Sequence, residues 1–236
     1  MPRLLTPLVP ITVASIYKSG SLPARMAKCT PDTTAAIQGV VADLRALGYD
    51  LRLSDLFRSY AMQKKAHEDY VEGGKKAYSP PPGGSMHEAG RAMDIELASI
   101  GVPLKKFWEI ARARAFLPII DKPDPSRSEA WHFDCRGSHH MVYEYTRKGK
   151  AGVSMAPYTQ MAHSAILAIG VKVDTLPDQG IGSVQAGLIR LGLDPGRIDG
   201  ILGARTTAAL QAAGFDGGDA VGFVSAKLKE KFPLEF

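Results

Sequence analysis

Two short segments of the chain contain the residue types of a hydrolytic metal site. Residues 85–94 contribute His87 and Asp94, and residues 129–132 contribute Glu129 and His132. A catalytic zinc ion takes three nitrogen or oxygen ligands from the protein and leaves a fourth position for water. Two histidines and one aspartate supply those ligands, and the glutamate remains to handle protons. The residue types therefore predict a zinc-dependent hydrolase.

The spacing of the first segment excludes a continuous helix. Asp94 follows His87 by seven positions, and a helix would separate the two by about 10 Å along its axis. Ligands of one ion cannot lie so far apart, so the chain must bend between them. Gly90 tolerates the backbone angles of such a bend. Residues 92–97 then predict a short strand that carries Asp94.

Glu129 precedes His132 by three positions, so the two side chains would point to opposite faces of a regular strand. We therefore predict that Glu129 lies before the strand, in the turn formed by residues 126–129. From this turn, its carboxylate would approach the water at the metal without being a ligand. A solvated loop carboxylate is the alternative, but the adjacent Trp131 and His132 favour the catalytic interpretation.

These segments resemble a known signature. The pattern S-x-H-x-x-G-x-A-x-D at 85–94, followed by E-x-W-H at 129–132, resembles the VanY-like zinc D-alanyl-D-alanine carboxypeptidases. This group also includes phage L-alanyl-D-glutamate endolysins. Upstream, FRSYAMQ at 57–63 resembles the Arg-Ser and Gln segment of the same family. The resemblance covers residues 30–146, approximately.

The resemblance implies a role for each matching residue. It makes His87, Asp94 and His132 the ligands of one Zn²⁺ ion, and Glu129 the general base that activates water. Arg58 would polarise the scissile carbonyl and stabilise its oxyanion, a role that suits a fixed guanidinium. Four residues would contact substrate, namely Arg58, Gln63, Ser85 and Trp131. Taken by itself, Arg58 could instead form a surface ion pair, and Ser85 could instead shape a turn.

The carboxyl-terminal part resembles a different family, the helical peptidoglycan-binding domain. The hallmark V-Q-x-x-L-x-x-L-G, followed by I-D-G-x-x-G-x-x-T-x-x-A, matches within residues 183–213. The chain departs from the pattern at 212–214, where Ala-Ala-Gly replaces the usual aromatic residue and Gln. The resemblance implies peptidoglycan as the partner. A helical bundle that only packs on the catalytic domain is the alternative.

Hydrophobic periodicity and turn residues predict an α+β fold, with a small mixed peptidase domain and an all-α bundle. Helices are expected over 31–48, 61–71 and 103–115, with a strand over 51–57 that leads to Arg58 and a loop over 73–84. Small and polar residues after Thr146 predict a linker. The predicted domains are 1–148 and 165–236, joined by a linker over 149–164.

Charge and hydropathy narrow the class of partner. Residues 1–150 carry 22 Lys and Arg against 16 Asp and Glu, whereas residues 151–236 carry 7 against 8. Because the basic residues form no stripe interleaved with aromatics, we expect no nucleic-acid partner. We also expect no membrane span and a monomer. Cys29 and Cys135 permit at most one disulfide, and a buried free thiol is the first interpretation of Cys135.

The cellular location predicted for the chain follows from its substrate. An enzyme of the cell wall acts in the periplasm or outside the cell. The apolar stretch from Leu4 to Tyr17 is interrupted by Pro7 and Pro10 and lacks a small-residue cleavage site, so we expect no cleaved signal peptide. Such a protein would stay in the cytoplasm until lysis or export.

Together, the two resemblances predict a peptidoglycan hydrolase, with an endolysin-type L-alanyl-D-glutamate endopeptidase favoured. A D-alanyl-D-alanine carboxypeptidase is the first alternative. A non-catalytic wall anchor or virion component is the second. The adjacent histidines His139 and His140 are a lesser candidate for metal binding.

Overall fold

The computed structural model describes residues 3–17, 20–74, 76–149 and 157–236, and the fold is α+β, as predicted. The strands in these ranges are β1 (Val9–Pro10), β2 (Ala14–Ser15), β3 (Lys28–Cys29), β4 (Arg52–Asp55), β5 (Ala92–Ile95), β6 (Phe116–Pro118) and β7 (His132–Cys135). The helices are α1 (Pro31–Ala46), α2 (Tyr60–Val71), α3 (Leu104–Ala113), α4 (His140–Arg147), α5 (Pro157–Ala168), α6 (Gln179–Leu191), α7 (Ala204–Ala212) and α8 (Ala220–Lys231).

The chain divides into two compact units. The sheet unit comprises Leu8–Ser79 and Met86–Gly137. The helical unit comprises the amino-terminal residues up to Pro7, the short segment Pro80–Ser85, and Ser138–Phe236. The domain boundaries predicted from the sequence stay a prediction, and these units differ from them because α4 and α5 group with the carboxyl-terminal helices.

The main sheet of the sheet unit has the strand order β2-β4-β5-β7-β6. Strand β2 runs parallel to β4, and the other neighbours are antiparallel. The register places Asp94 of β5 opposite His132 of β7 and opposite Asp55 of β4. Directly opposed side chains in a sheet lie close together. The pairing therefore assembles polar residues from three strands at one place.

Alternation along the central strands separates the core from the polar face. Met93, Ile95, Phe133 and Cys135 join the hydrophobic core with α1 and α3. Because side chains alternate along a strand, Asp94 and the even-numbered residues of β7 point to the other face. The Phe133 ring contacts Phe107 of α3 edge to face, with centroids 5.0 Å apart.

The helix over residues 31–48 is confirmed as α1, which begins with Pro31 at its first turn. Its apolar residues Ile37, Val40 and Leu44 are fully buried, as their spacing predicts. Helix α3 contributes Phe107 and Ala111 to the same core. The two cysteines are buried free thiols.

The helical unit contains a buried helix where the sequence predicted a linker. Residues 157–164 of the predicted linker belong to α5, whose Met161, Ala165 and Ile166 are buried. The linker prediction is wrong for this stretch, because small residues allow close helix packing and do not by themselves indicate an extended chain. Residues 150–156 of the predicted linker lie outside the described residues.

A second core lies among α6, α7 and α8, where Val184, Leu188, Leu210, Val224 and Leu228 pack together. The helix and loop predicted over residues 183–213 are confirmed by α6 and α7. None of the helices in the described ranges is long and apolar enough to cross a bilayer.

A buried ion pair closes the helical unit at its carboxyl terminus. Arg190 and Glu235 are 2% and 4% exposed, and Arg190 Nη2 lies 2.5 Å from Glu235 Oε2. The backbone N–H and the hydroxyl of Ser138 also donate to this carboxylate, at 2.8 and 3.0 Å. The Glu235 carboxylate thus joins Ser138, at the start of the segment Ser138–Phe236, to the end of that segment.

We expect Glu235→Ala to lower the free energy of unfolding by about 3–5 kcal/mol, because it leaves the Arg190 charge buried without its partner. Urea denaturation measures the change. Glu230→Ala, at an exposed position of α8, is the matched control and should change the free energy by less than about 0.5 kcal/mol. A loss below about 1 kcal/mol for Glu235→Ala would mean that Arg190 finds other partners or water.

Candidate metal and catalytic site

The three predicted ligands converge in the sheet unit. One nitrogen of His87, one nitrogen of His132 and one carboxylate oxygen of Asp94 all lie within 4.8 Å of one another. Asp94 Oδ1 is 3.3 Å from His87 Nε2 and 3.0 Å from His132 Nδ1. The three residues are 1%, 8% and 5% exposed in chain order. Within the described ranges, this is the one cluster of three or more potential ligands.

The bend predicted between the first two ligands is present. His87 lies in a short 3-10 helix, Met86–Ala89, and Asp94 lies in β5. Between them, Gly90 has φ +63°, in the left-handed region that favours glycine. A Cβ atom at this position would also lie 2.7 Å from Leu8 Cδ2 and 3.0 Å from the Cα atom of Cys29. Glycine is therefore required here by both backbone angle and space.

Each histidine directs its second ring nitrogen to a hydrogen-bond acceptor. Nδ1 of His87 lies 2.7 Å from the backbone oxygen of Leu56, and Nε2 of His132 lies 2.8 Å from Asp134 Oδ1. Metal-binding histidines characteristically donate their other N–H to a carbonyl or carboxylate, which fixes the nitrogen that faces the metal. The arrangement leaves Nε2 of His87 and Nδ1 of His132 facing Asp94.

Sequence reasoning did not identify Asp134 as a site residue. It is fully buried and lies two positions after His132 in β7. Because residues i and i+2 of a strand share a face, this spacing was the available signal.

The electrostatics of the cluster favour a positive charge. Burial would lower the pKa of His132, but Asp134 and Asp94 outweigh it and raise that pKa to about 10. Burial would raise the pKa of Asp94, but His87 and His132 hold it well below its usual range. A divalent cation supplies positive charge at the same point. Two imidazole nitrogens and one carboxylate oxygen are also ligands that zinc takes in catalytic sites, so the donor set fits a metal ion.

Arg58 lies beside this cluster, after the end of β4. Its Nη2 is 3.4 Å from Asp94 Oδ2, and its side chain is 12% exposed. Burial would lower the pKa of Arg58, but the carboxylates of Asp55 and Asp94, with a smaller effect of Glu129, raise it. The guanidinium therefore keeps its charge and is within electrostatic range of both the Asp94 ligand and the predicted base.

Glu129 occupies the turn that the sequence predicted. It lies three residues before the start of β7, and its backbone oxygen accepts a hydrogen bond from the N–H of His132 at 3.1 Å. Its φ of +67° is unusual for a residue with a side chain. Such conformations concentrate at functional sites, where the surrounding fold enforces them. The carboxylate is not among the three converging ligand groups.

The structure gives the other predicted substrate residues different surroundings. Gln63 is fully buried and bonds to Arg58 and Ser79. Trp131 is partly buried and packs against the hydrophobic core. Ser85 is 4% exposed and directly precedes the 3-10 helix of His87. Substrate contact by these three residues stays a prediction.

The alternative histidine pair does not form a metal cluster in the described residues. His139 is fully buried, with Nδ1 2.8 Å from the hydroxyl of Ser164. His140 is partly exposed, with Nε2 3.8 Å from Glu144 Oε1. The two neighbouring histidines thus have separate partners.

Residues 26–117 match the VanY family, described as D-alanyl-D-alanine carboxypeptidase. Over this stretch the chain is VanY-like. The VanY-like stretch includes Arg58, His87 and Asp94, and it ends before Glu129 and His132. The resemblance stated from the signature residues is confirmed for this part of the chain.

No curated protein matches the chain. A solved structure, described as that of the LdcB LD-carboxypeptidase and as revealing the basis of peptidoglycan recognition, is similar, with 23% sequence identity and a TM-score of 0.42. The similarity covers 54% of this chain and 66% of that chain, slightly less than two thirds of its length.

Proposed function

We propose that the chain is a zinc-dependent peptidoglycan hydrolase that cleaves a peptide bond of the murein stem peptide. The observation that carries this proposal is the convergence of His87, Asp94 and His132, with acceptors behind both imidazoles. The VanY-like stretch supports peptidoglycan peptide as the substrate class.

Nε2 of His87, Oδ1 of Asp94 and Nδ1 of His132 would hold the zinc ion. When bound, zinc would supply Lewis acidity that makes water more acidic and polarises the substrate carbonyl. The acceptors behind both rings keep the ligating nitrogens aimed at one point. They thereby reduce the reorganisation that binding requires.

Glu129 is the proposed general base. Its carboxylate takes a proton from the attacking water as the oxygen bonds to the carbonyl carbon of the scissile peptide. When the carbon–nitrogen bond breaks, the same carboxylic acid returns the proton to the leaving amine. The N–H of His132 donates to the backbone oxygen of Glu129. This bond ties the turn of the base to β7, the strand that carries the ligand His132.

Arg58 is the proposed oxyanion group. Negative charge develops on the carbonyl oxygen during attack, and a fixed guanidinium close to that oxygen stabilises it without reorganisation. Asp94 accepts from Arg58 through Oδ2 while Oδ1 faces the imidazoles. The ligand carboxylate therefore ties the cation to the metal site.

Two bonds are candidates for the cleavage. The family description supports the terminal D-alanyl-D-alanine bond, whereas the signature shared with phage endolysins supports the L-alanyl-D-glutamate bond. The first substrate presents a free carboxylate, and the second continues on both sides of the scissile bond. These substrates therefore give products of different mass.

Mass spectrometry of muropeptides digested by the zinc-loaded chain tests the proposal. A carboxypeptidase removes D-alanine from pentapeptides, and an endopeptidase releases stem peptides that begin with D-glutamate. A product profile identical to that of an untreated sample would contradict hydrolase activity. Together with retained sacculus binding, it would instead support a non-catalytic wall component.

The helical unit is the proposed wall-binding module. Gln185 is 1% exposed and bonds to Asp199, to the backbone of Gly200 and Ile201, and to Thr206. These contacts explain the V-Q and I-D-G-x-x-G-x-x-T hallmark, because one buried amide shapes the whole loop. The loop borders a groove of about 470 Å³ and exposes Ile201 and Leu202.

Co-sedimentation with purified sacculi tests this module. Every chain in the experiment carries Glu129→Gln, which prevents digestion of the sacculi. We expect replacement of both Ile201 and Leu202 by Ser to weaken binding about tenfold, which corresponds to about 1.4 kcal/mol. Leu234→Ser is the matched control, since Leu234 is 79% exposed. Equal binding by both variants would contradict the assignment of this loop.

The hydrogen bond behind His132 gives a separate prediction. We expect Asp134→Asn to weaken zinc binding about 10–100-fold, because a neutral amide accepts more weakly and makes the ring less basic. Competition with a fluorescent chelator measures the affinity. Asp124→Asn, in an exposed loop turn, is the control. An unchanged affinity for Asp134→Asn would show that this hydrogen bond does not orient the ligand.

A further inference from the structure

The guanidinium of Arg58 is held at all three of its nitrogens. Nε donates to Asp55 Oδ2 at 2.5 Å, Nη1 donates to Gln63 Oε1 at 3.3 Å, and Nη2 donates to Asp94 Oδ2 at 3.4 Å. A guanidinium has five N–H groups in a fixed plane. Contacts at three separate nitrogens therefore fix both the position and the orientation of that plane.

Asp55 makes the shortest of these contacts. It ends β4, opposite Asp94, where the pairing of β4 with β5 shifts register. Its Oδ1 accepts the N–H of Leu56 at 2.9 Å, and its Oδ2 accepts Nε of Arg58. Because the backbone bond anchors one oxygen, the other is fixed in place for the arginine.

Gln63, in α2, makes the second contact that fixes Arg58. Its side chain is fully buried, and its Nε2 donates to the hydroxyl of Ser79 at 3.2 Å. Since arginine only donates hydrogen bonds, the amide oxygen must face Arg58 and the amide nitrogen must face the serine. Both ends of the amide are thus engaged within the sheet unit, which favours an orienting role over substrate contact.

These contacts use three of the five N–H groups, and one N–H on each of Nη1 and Nη2 has no hydrogen-bond partner among the described residues. We propose that Asp55 and Gln63 are positioning residues that fix Arg58 so that these two N–H groups donate hydrogen bonds to the substrate carbonyl oxygen during attack. This inference rests on the proposed function, because the oxyanion belongs to the hydrolysis proposed for this site.

The position of Asp94 explains why Arg58 needs Asp55 and Gln63 to fix its orientation. Oδ1 of Asp94 faces the imidazoles. Oδ2 of Asp94 lies 3.4 Å from Arg58, farther than Oδ2 of Asp55, which lies at 2.5 Å. Without Asp55, the guanidinium would turn toward Asp94 as its remaining carboxylate. Arg58 would then leave the substrate oxygen and compete for a metal ligand.

Asp55→Asn and Gln63→Met preserve side-chain size and remove the holding interactions. For each, we expect kcat to fall about 10–100-fold with KM changed by less than about threefold, because misplacing a catalytic group by about 1 Å costs up to about 100-fold. Asp50→Asn, which removes an exposed ion pair with Arg45, is the matched control with unchanged kcat.

A double-mutant cycle with Arg58→Lys separates positioning from a general structural effect. If Asp55 acts through Arg58, Asp55→Asn will lower kcat by less than about twofold in the Arg58→Lys background. An undiminished loss in that background would overturn the proposal. Zinc affinity, measured in parallel, should stay within about threefold of the parent chain for Asp55→Asn and Gln63→Met.

A spectroscopic measurement tests the same idea independently of turnover. The Nε–H resonance of Arg58, assigned by its loss in Arg58→Lys, should be protected from exchange in the parent chain and lose protection in Asp55→Asn. Unchanged protection would overturn the positioning of Arg58 by Asp55 even if the chain is active. A parent chain that cleaves no muropeptide would refute the proposed function, whereas the resonance would still report whether Asp55 positions Arg58.

Discussion

Glu129→Gln is expected to lower kcat for muropeptide hydrolysis by about 10²–10⁴-fold, the range typical of a lost general base. Glutamine has nearly the same shape as glutamate but accepts no proton at neutral pH. The attacking water would then lose its proton acceptor, and the leaving amine would lose its proton donor. Both halves of the reaction depend on this one carboxylate, so the effect should be among the largest of any single substitution.

The same substitution should leave metal binding intact. Glu129 is outside the group of three converging ligands, so zinc affinity should remain within about threefold of the parent value. The left-handed backbone at φ +67° burdens glutamate and glutamine alike, so the turn should be retained. Rapid-quench kinetics on a defined muropeptide, together with zinc competition, measure the two properties.

Glu109→Gln is the matched control for this experiment, because Glu109 is exposed and pairs only with Lys106 in the hydrogen bonds of the described residues. It makes the same chemical change away from the site and should leave kcat unchanged. A Glu129→Gln chain that retains more than about a tenth of the parent kcat would exclude this residue as the base. Another acceptor would then have to take the proton.

The bend between His87 and Asp94 could be predicted from the sequence because its reason is purely geometric once the two residues are taken as ligands of one ion. The seven-position separation of His87 and Asp94 cannot serve one ion on a helix, and Gly90 was the residue that permits a bend. The structure places that glycine at φ +63°. The register that sets Asp94 opposite His132 could not be predicted, because it depends on strand pairing between distant segments.

Local sequence indicates one of the two aspartates behind the site and not the other. Asp134 shares a face with His132 through local strand spacing, so a closer consideration of β7 would have found it. Asp55 gave no such signal, since its place beside Arg58 depends on the shifted pairing of β4 with β5. Residues 157–164 of α5 were predicted as linker, because small residues indicate packing only once their neighbours are known.

His87→Ala is expected to abolish zinc binding at micromolar metal and to reduce hydrolysis to the level of the chelator-treated parent. Two ligands cannot close a site that takes three protein ligands in catalytic zinc centres. In the parent chain, chelation should remove activity and stoichiometric zinc should restore it. In the variant, added zinc should restore nothing.

Thermal unfolding provides a readout of the same site that does not require substrate. A ligand that binds only the folded chain stabilises it by about 4 kcal/mol at 1,000 times its Kd, so zinc should raise the Tm of the parent and leave that of His87→Ala unchanged. His140→Ala removes a partly exposed imidazole near Glu144 and should behave as the parent. Equal zinc-induced shifts in the parent and His87→Ala would place the ion elsewhere. The buried acceptors behind His87 and His132 would then stabilise the apo fold and would not prepare a metal centre, because their hydrogen bonds exist whether or not an ion binds.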